Sequence, residues 1–301
     1  MSQSDSRSGS RSTTSADSNR PVATRQDGSD DPPGGQSRGR VTLAVQDHVA
    51  TISLDRPAQR NRLSRAMLDQ LIGICDSVAE NEAVRAVIVR GEGSDFSTGV
   101  DLADPELTEI ARQPIGKRRR SLRFGPDSVD AIRSLPQPTI AAMHGYCLGG
   151  GGCLALACDL RIAAADLRFG MPEVRRGMNM SWRTVHLMVA HWGPARTKEL
   201  LITGRELEMN DAVAWGLANR TSEAGADAVH RAAAEWAGEI AQTTPPIAAA
   251  MVKETVDAIA DAHAAAVHMD TDQFILAQMT DDFREAVLSF MEKRPPAYRG
   301  R

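Results

Sequence analysis

The chain has 301 residues, 42% of them hydrophobic and only 4% aromatic, with a formal net charge of −4. That balance gives no general electrostatic reason to expect nucleic acid or an anionic membrane as partner, and no apolar run reaches the roughly 18 residues of a membrane span. The four cysteines, Cys75, Cys147, Cys153 and Cys158, form no C-x-x-C pair, so reduced thiols in the cytoplasm are the expectation.

Residues 1–40 are rich in Ser, Arg, Asp and Gly and nearly free of large apolar side chains. Such a segment cannot bury enough surface to offset its ordering entropy, which predicts a disordered tail. It lacks the apolar stretch of a secretory signal, and Asp5, Asp17, Asp27, Asp30 and Asp31 argue against a mitochondrial transit peptide. Val41–Val45 and Val49–Leu54 read as strands joined by a Gln-Asp-His turn. Ser64 suits the N-cap of a helix with apolar positions Met67, Leu68, Leu71, Ile72, Cys75 and Val78. Ala86–Val89 is a short apolar strand running towards Gly91. A helix near Ser128–Arg133, a strand at Thr139–Met143 and a glycine run opening an apolar helix follow, then a strand at Leu160–Ala163. Beyond Ser181 the pattern is almost wholly helical, punctuated by Gly193-Pro194, Gly204 and Gly216. The succession predicts an α/β core over residues 41–235 and an all-helical region over 236–301.

Two loops carry chemistry. The run Gly145-Tyr-Cys-Leu-Gly-Gly-Gly-Gly152 lies between a strand and a helix, where glycines admit a ligand to the backbone and the helix start offers free amides and the positive dipole end. That arrangement suits a developing negative charge. A dinucleotide fingerprint fails because Leu154 stands where its last glycine belongs, and a Walker loop fails for want of Gly-Lys-Ser/Thr. A tight structural turn is the plain alternative. The second loop, Gly93 to Leu102, also follows a buried strand and is placed to present an amide.

Together with Leu54-Asp-Arg-Pro57, Asn61, Leu135-Pro-Gln-Pro138, Ala157-Cys-Asp-Leu-Arg161, Phe169-Gly-Met-Pro-Glu173 and Leu201-Ile-Thr-Gly204, these blocks resemble the crotonase (enoyl-CoA hydratase/isomerase) superfamily from Val41 to the C-terminus. The resemblance implies a crotonase-like α/β core of repeated ββα units with C-terminal helices that mediate trimer formation, as a homotrimer or hexamer. It implies an acyl-coenzyme A substrate, coenzyme A entering as part of it, with no permanently bound cofactor and no metal. The thioester oxygen would sit between the Val100 and Gly150 amides. Gly99, Asp101, Gly149, Arg56, Asn61, Lys253 and Lys293 fall at positions the resemblance places near the coenzyme A moiety, with Asp101 and Asp159 also expected to make structural hydrogen bonds.

By the same resemblance Glu173 is an acid/base, and apolar neighbours would raise its pKa towards neutrality. A surface carboxylate after a proline turn is the alternative. Cys153 stands where hydratases carry a second glutamate. A thiol is a weak hydrogen-bond partner, so the reading leans to double-bond isomerisation, with hydration by Glu173 alone or a catalytically weak acyl-CoA-binding protein as alternatives. A nucleophilic Cys153 at the helix start is a further possibility, set against an inert core thiol. Trp182 reads either as a wall of the acyl pocket or as packing. Lys117–Arg120 with Arg123 is a basic cluster that meets either coenzyme A phosphates or solvent. His144, His186 and His191 show no metal-ligand spacing.

Overall fold

The computed structural model describes residues 39–261 and 269–301; the disordered tail expected over 1–40 falls almost wholly outside them. Strands β1 (Arg40–Gln46) and β2 (Val49–Asp55) form an antiparallel hairpin. Gln46 pairs with Val49, so the turn is Asp47-His48 alone, both at positive φ, as a two-residue hairpin loop requires. Then come α1 (Arg65–Ala79), β3 (Ala86–Gly91), α2 (Pro105–Arg112), α3 (Ile115–Ser121), α4 (Phe124–Arg133), β4 (Thr139–Met143), β5 (Tyr146–Leu148) and α5 (Gly150–Ala157). After these lie β6 (Leu160–Ala164), β7 (Arg168–Gly170), a 3-10 turn (Pro172–Arg176), α6 (Val185–Thr203), β8 (Glu206–Glu208), α7 (Met209–Trp215) and β9 (Arg220–Ser222). Helices α8 (Ala226–Thr243), α9 (Pro246–Ala260), α10 (Asp270–Gln278) and α11 (Asp281–Glu292) complete the order. Ser64 caps α1, its hydroxyl accepting from Met67 N at 3.3 Å.

The main sheet runs β1-β2-β3-β4-β6-β9, parallel from β2 onward. The inner strands β3, β4 and β6 are buried on both faces, which is why they read as continuous apolar runs rather than alternations. Ile52, Leu54, Val87, Val89, Ala141 and Met143 belong to the core shared with α1, α4 and α5. Ala86, Ile88, Ile140, Ala142 and Ile162 face Val229, Ala233, Ala237 and Ala241 of α8. The spacing of four puts those α8 residues on one helix face, and three small alanines let the helix lie close.

A second sheet, β5-β7-β8, is extended by a bridge between Ser97 and Cys147, so that Ser97, Cys147, Phe169 and Leu207 form one buried row. This row joins the loop from Gly93 to Leu102 to the glycine run.

Two expectations are corrected. The stretch beyond Ser181 includes β8 and β9, three residues each, too short to leave a period-two signal. The boundary at 235/236 cuts through α8, one continuous helix on the main sheet. The helices that stand off the sheet begin with α9. Its Lys253, Asp257 and Asp261, the last at the helix end, turn inward: Lys253 Nζ meets Asp159 Oδ2 at 2.8 Å, and Arg133 Nη2 meets Asp261 at 2.9 Å and Asp257 at 3.7 Å. Ile247, Met251, Val252, Val256 and Ile259 are exposed. Helix α11 packs on the 3-10 turn, where Gly177 (φ 68°) lies so close that an added Cβ would stand 2.8 Å from Phe283 Cα.

Candidate active site

The loop after β3 is held by side chains from upstream. Asn61, fully buried, donates to the Glu92 and Asp95 carbonyls at 2.8 and 2.7 Å and accepts from Arg56 N at 2.8 Å. Asp95 Oδ1 accepts from Tyr146 N at 2.9 Å. Further along, Leu63 N donates to Gly99 O and Asp101 N to Leu63 O, each at 2.9 Å. The ladder therefore fixes the residues on either side of Val100 and passes over its amide. Gly150 is the first residue of α5, where a helix leaves its N–H groups unpaired. Among the described residues neither the Val100 nor the Gly150 amide donates to a protein group.

The two loops meet at these amides. Gly99 sits at φ 88°, and a Cβ there would be 2.9 Å from Leu148 O and 3.3 Å from Gly150 N. A Cβ on Gly151 would be 2.7 Å from Ser97 O. Only glycine admits this approach without displacement.

Glu173 lies on the 3-10 turn after β7, and its Oε1 would be 2.7 Å from a Cβ on Gly149. The residue as a whole is half-buried, but Oε2 is buried without a hydrogen-bond partner. Burial pushes its pKa up to about 7, against the opposing pull of its own backbone amide and of Arg176. A carboxylate that exchanges a proton near neutrality next to two free amides can remove and return a proton beside a carbonyl.

Cys153 is fully buried, its Sγ 3.4 Å from Thr184 Oγ1 and 3.5 Å from Met180 Sδ. Burial first, then the Glu173 charge, holds the thiol far above its ordinary pKa, which is the opposite of what a nucleophilic cysteine needs. Trp182 is wedged between α4 and α5, edge-on to Phe124 at 6.4 Å and so near Gly125 and Gly150 that a Cβ on either would stand 2.3 and 2.8 Å from its ring. It packs two helices together and, at Gly150, forms a wall of the site.

Several residues expected near the coenzyme A moiety have their side chains engaged elsewhere. Arg56 Nη1 pairs with Asp101 Oδ2 at 2.7 Å, both side chains 5% exposed, and Asp101 also faces Arg62 at 3.5 Å. With Asn61 they brace the loop from within. Lys253 is tied to Asp159, which also accepts from Thr139 N and Oγ1 at 2.7 and 2.8 Å. Lys293 is exposed just past α11. In the basic cluster Arg118 bonds Gln278 and Arg119 pairs with Asp272 at 2.5 Å, fastening α3 to α10, while Arg123 pairs with Asp127. Sequence reasoning missed Ser97, whose hydroxyl donates to Asn61 O at 2.8 Å and accepts from Gly99 N at 3.1 Å. The Ser-x-Gly spacing of a side-chain turn was the available signal. Among the described residues no group of three or more His, Cys, Asp or Glu is placed to hold a metal ion, and no helix is long and apolar enough to cross a membrane.

A family model described as enoyl-CoA hydratase/isomerase matches residues 44–301. The chain belongs to the enoyl-CoA hydratase/isomerase family. It is 36% identical to the Bos taurus enoyl-CoA hydratase domain-containing protein 2, mitochondrial, over 84% of each chain. It is 30% identical to the mevalonyl-coenzyme A hydratase SIDH of Beauveria bassiana, over 84% of this chain and 92% of that one. The solved structure of an enoyl-CoA hydratase from Bacillus anthracis superposes with a TM-score of 0.66 at 31% identity, covering 87% of this chain and 99% of that one. The expected crotonase-type architecture, α/β core and C-terminal helices together, is thus the family's, and the chain is an enzyme of the hydratase/isomerase family.

Proposed function

We propose that this enzyme acts on acyl-coenzyme A thioesters through an enolate and shifts a carbon–carbon double bond. The thioester oxygen accepts from the Val100 and Gly150 amides, which stabilise the charge that develops on it; one such donor contributes about 3 kcal/mol to a transition state. Glu173 takes a proton from C2 of a 3-enoyl thioester, the electron pair moves into the enolate, and the same carboxyl returns the proton at C4. The product is the 2-enoyl thioester, with no net gain or loss of atoms. The supporting observation is a single carboxylate at Gly149, tuned to about 7 by burial, with the neutral thiol of Cys153 nearby. Coenzyme A enters and leaves with the substrate, and no resident cofactor is required.

Hydration by Glu173 alone is the second reading, favoured by the hydratase names of the relatives. Turnover of 3-enoyl-CoA against 2-enoyl-CoA separates the two. Glu173→Gln should lower kcat by about 10³-fold for whichever reaction occurs, the scale of a positioned acid/base. A variant as fast as wild type would leave Glu173 idle and the chain an acyl-CoA-binding protein. Cys153→Glu should raise hydration by supplying a second carboxylate.

The exposed apolar stripe of α9 suits a homo-oligomer, trimer or hexamer, because large contiguous apolar surface is uncommon on monomers. Four free, buried cysteines suit a reducing compartment such as the cytoplasm.

A further inference from the structure

We infer that the preferred acyl group is a long, unbranched hydrocarbon chain rather than a four-carbon one. The inference rests on the reading of Glu173 above and adds the substrate class. A cavity of about 500 Å³ lies between the 3-10 turn of Glu173, the segment leading into α6, α6 itself and α10. That is within the size range of small-molecule sites, roughly 300–1,000 Å³. Its walls include Met171, Met178, Met180, Val185, Val189 and Leu201. Unbranched thioether side chains adapt to a flexible chain better than branched or aromatic ones.

Several polar residues around the cavity are held by neighbouring groups. Asn179 Nδ2 donates to Gln273 Oε1 at 3.2 Å, Asp270 Oδ2 accepts from Arg183 N at 3.2 Å, and His186 Nε2 lies 3.1 Å from Asp261 Oδ1. Asn179 Oδ1, His186 Nδ1 and Glu173 Oε2 are buried without a partner, and most of the remaining wall is hydrocarbon and sulfur. Glu173 connects this space to the reaction centre, since it lines the cavity and its Oε1 also abuts Gly149. A thioester held at residues 100 and 150 puts its reacting carbons at Glu173, and the rest of the acyl chain continues past the carboxylate. The other direction is shut, because Trp182 fills the gap between Gly125 and Gly150.

A butenoyl group ends at its fourth carbon and leaves most of this volume unused. Each further methylene removed from water should raise kcat/KM about fourfold, by the ordinary burial increment.

The test measures kcat/KM of the full chain for 3-enoyl thioesters of four, six, eight and ten carbons, and in parallel the affinities of butyryl- and decanoyl-CoA by calorimetry. The ten-carbon substrate should exceed the four-carbon one by at least about 100-fold, and decanoyl-CoA should bind correspondingly tighter. Val189→Trp and Met178→Trp, which fill the cavity from two sides, should each cut the ten-to-four ratio at least about tenfold. The four-carbon rate of the same variant controls for folding. A flat chain-length profile in turnover and binding overturns the inference, as does a tryptophan variant that alters assembly while leaving the ratio unchanged, because the cavity would then hold a second copy. Tight decanoyl-CoA binding sensitive to Val189→Trp, with no turnover at any length, supports the cavity's role and strikes down the catalytic reading instead.

Discussion

Helix α5 buries all eight of its residues, whereas α9 buries none although most of its residues are apolar. The first is enclosed by its own chain: α4 and the sheets surround it, and its glycines admit the loop at Ser97 and the ring of Trp182. The second is inverted. Lys253, Asp257 and Asp261 face the body of the protein and the hydrocarbon faces away. Apolar content forecasts burial in both cases, but the partner differs. The chain encloses α5 by itself and leaves the apolar face of α9 exposed.

The largest expected effect comes from breaking the self-contained region. Gly151→Val places a side chain where the Ser97 carbonyl lies 2.7 Å from the Cβ. Overpacking of this kind should cost about 1–3 kcal/mol of stability. Separating the two loops should lower kcat by about 100-fold, as displacements of the order of an ångström do. Thermal unfolding and steady-state kinetics read the two effects, and a wild-type rate would show that this contact does not position the amides.

Charging the other region should act on assembly alone. Val252→Asp combined with Val256→Asp should reduce the sedimenting species to monomer. The stability of that monomer should stay within about 0.5 kcal/mol of wild-type monomer at matched dilution, as for ordinary surface substitutions. An oligomer that survives both aspartates is held together elsewhere.

The smallest effect is electrostatic and again separates core from rim. His230 has a pKa lowered to about 4, chiefly by burial. Between about 6.5 and 4 the unfolded chain binds more protons than the folded one, so stability is full above that window and declines as pH falls through it. Glu173 acts oppositely: its raised pKa contributes stability below the ordinary carboxylate range, lost as pH rises through about 7. Denaturant midpoints across pH 4–8 should show the acid-side decline in wild type and a shallower one in His230→Gln. An unchanged slope would remove His230 from the account.

The parts legible in the sequence were those in which residue type dictates backbone geometry. Gly99 and Gly151 could be read as close-approach positions because nothing larger fits, and Ser64 as a cap because its hydroxyl has one evident use. Glu173 was placed by its motif, yet its buried Oε2 depends on packing from several elements. The side-chain partners of Arg56, Asn61 and Lys253 were not legible in the sequence, for one reason. A cation or amide looks available for a ligand until its partner is seen, and Asp101 stands 45 residues after Arg56 while Asp159 stands 94 before Lys253. The strands β8 and β9 were hidden by brevity, and the division near residue 235 by a helix whose alanines serve the sheet throughout their length.

The clasp between Lys253, Asp159 and Thr139 has a consequence for assembly. It joins α9 directly to the strand β4, and Arg133 secures the same helix further along. The outward stripe is therefore mounted on a stiff support with its orientation already settled. A neighbouring copy would meet a finished template, and association would forfeit little of the conformational freedom that a loose helix must surrender on docking.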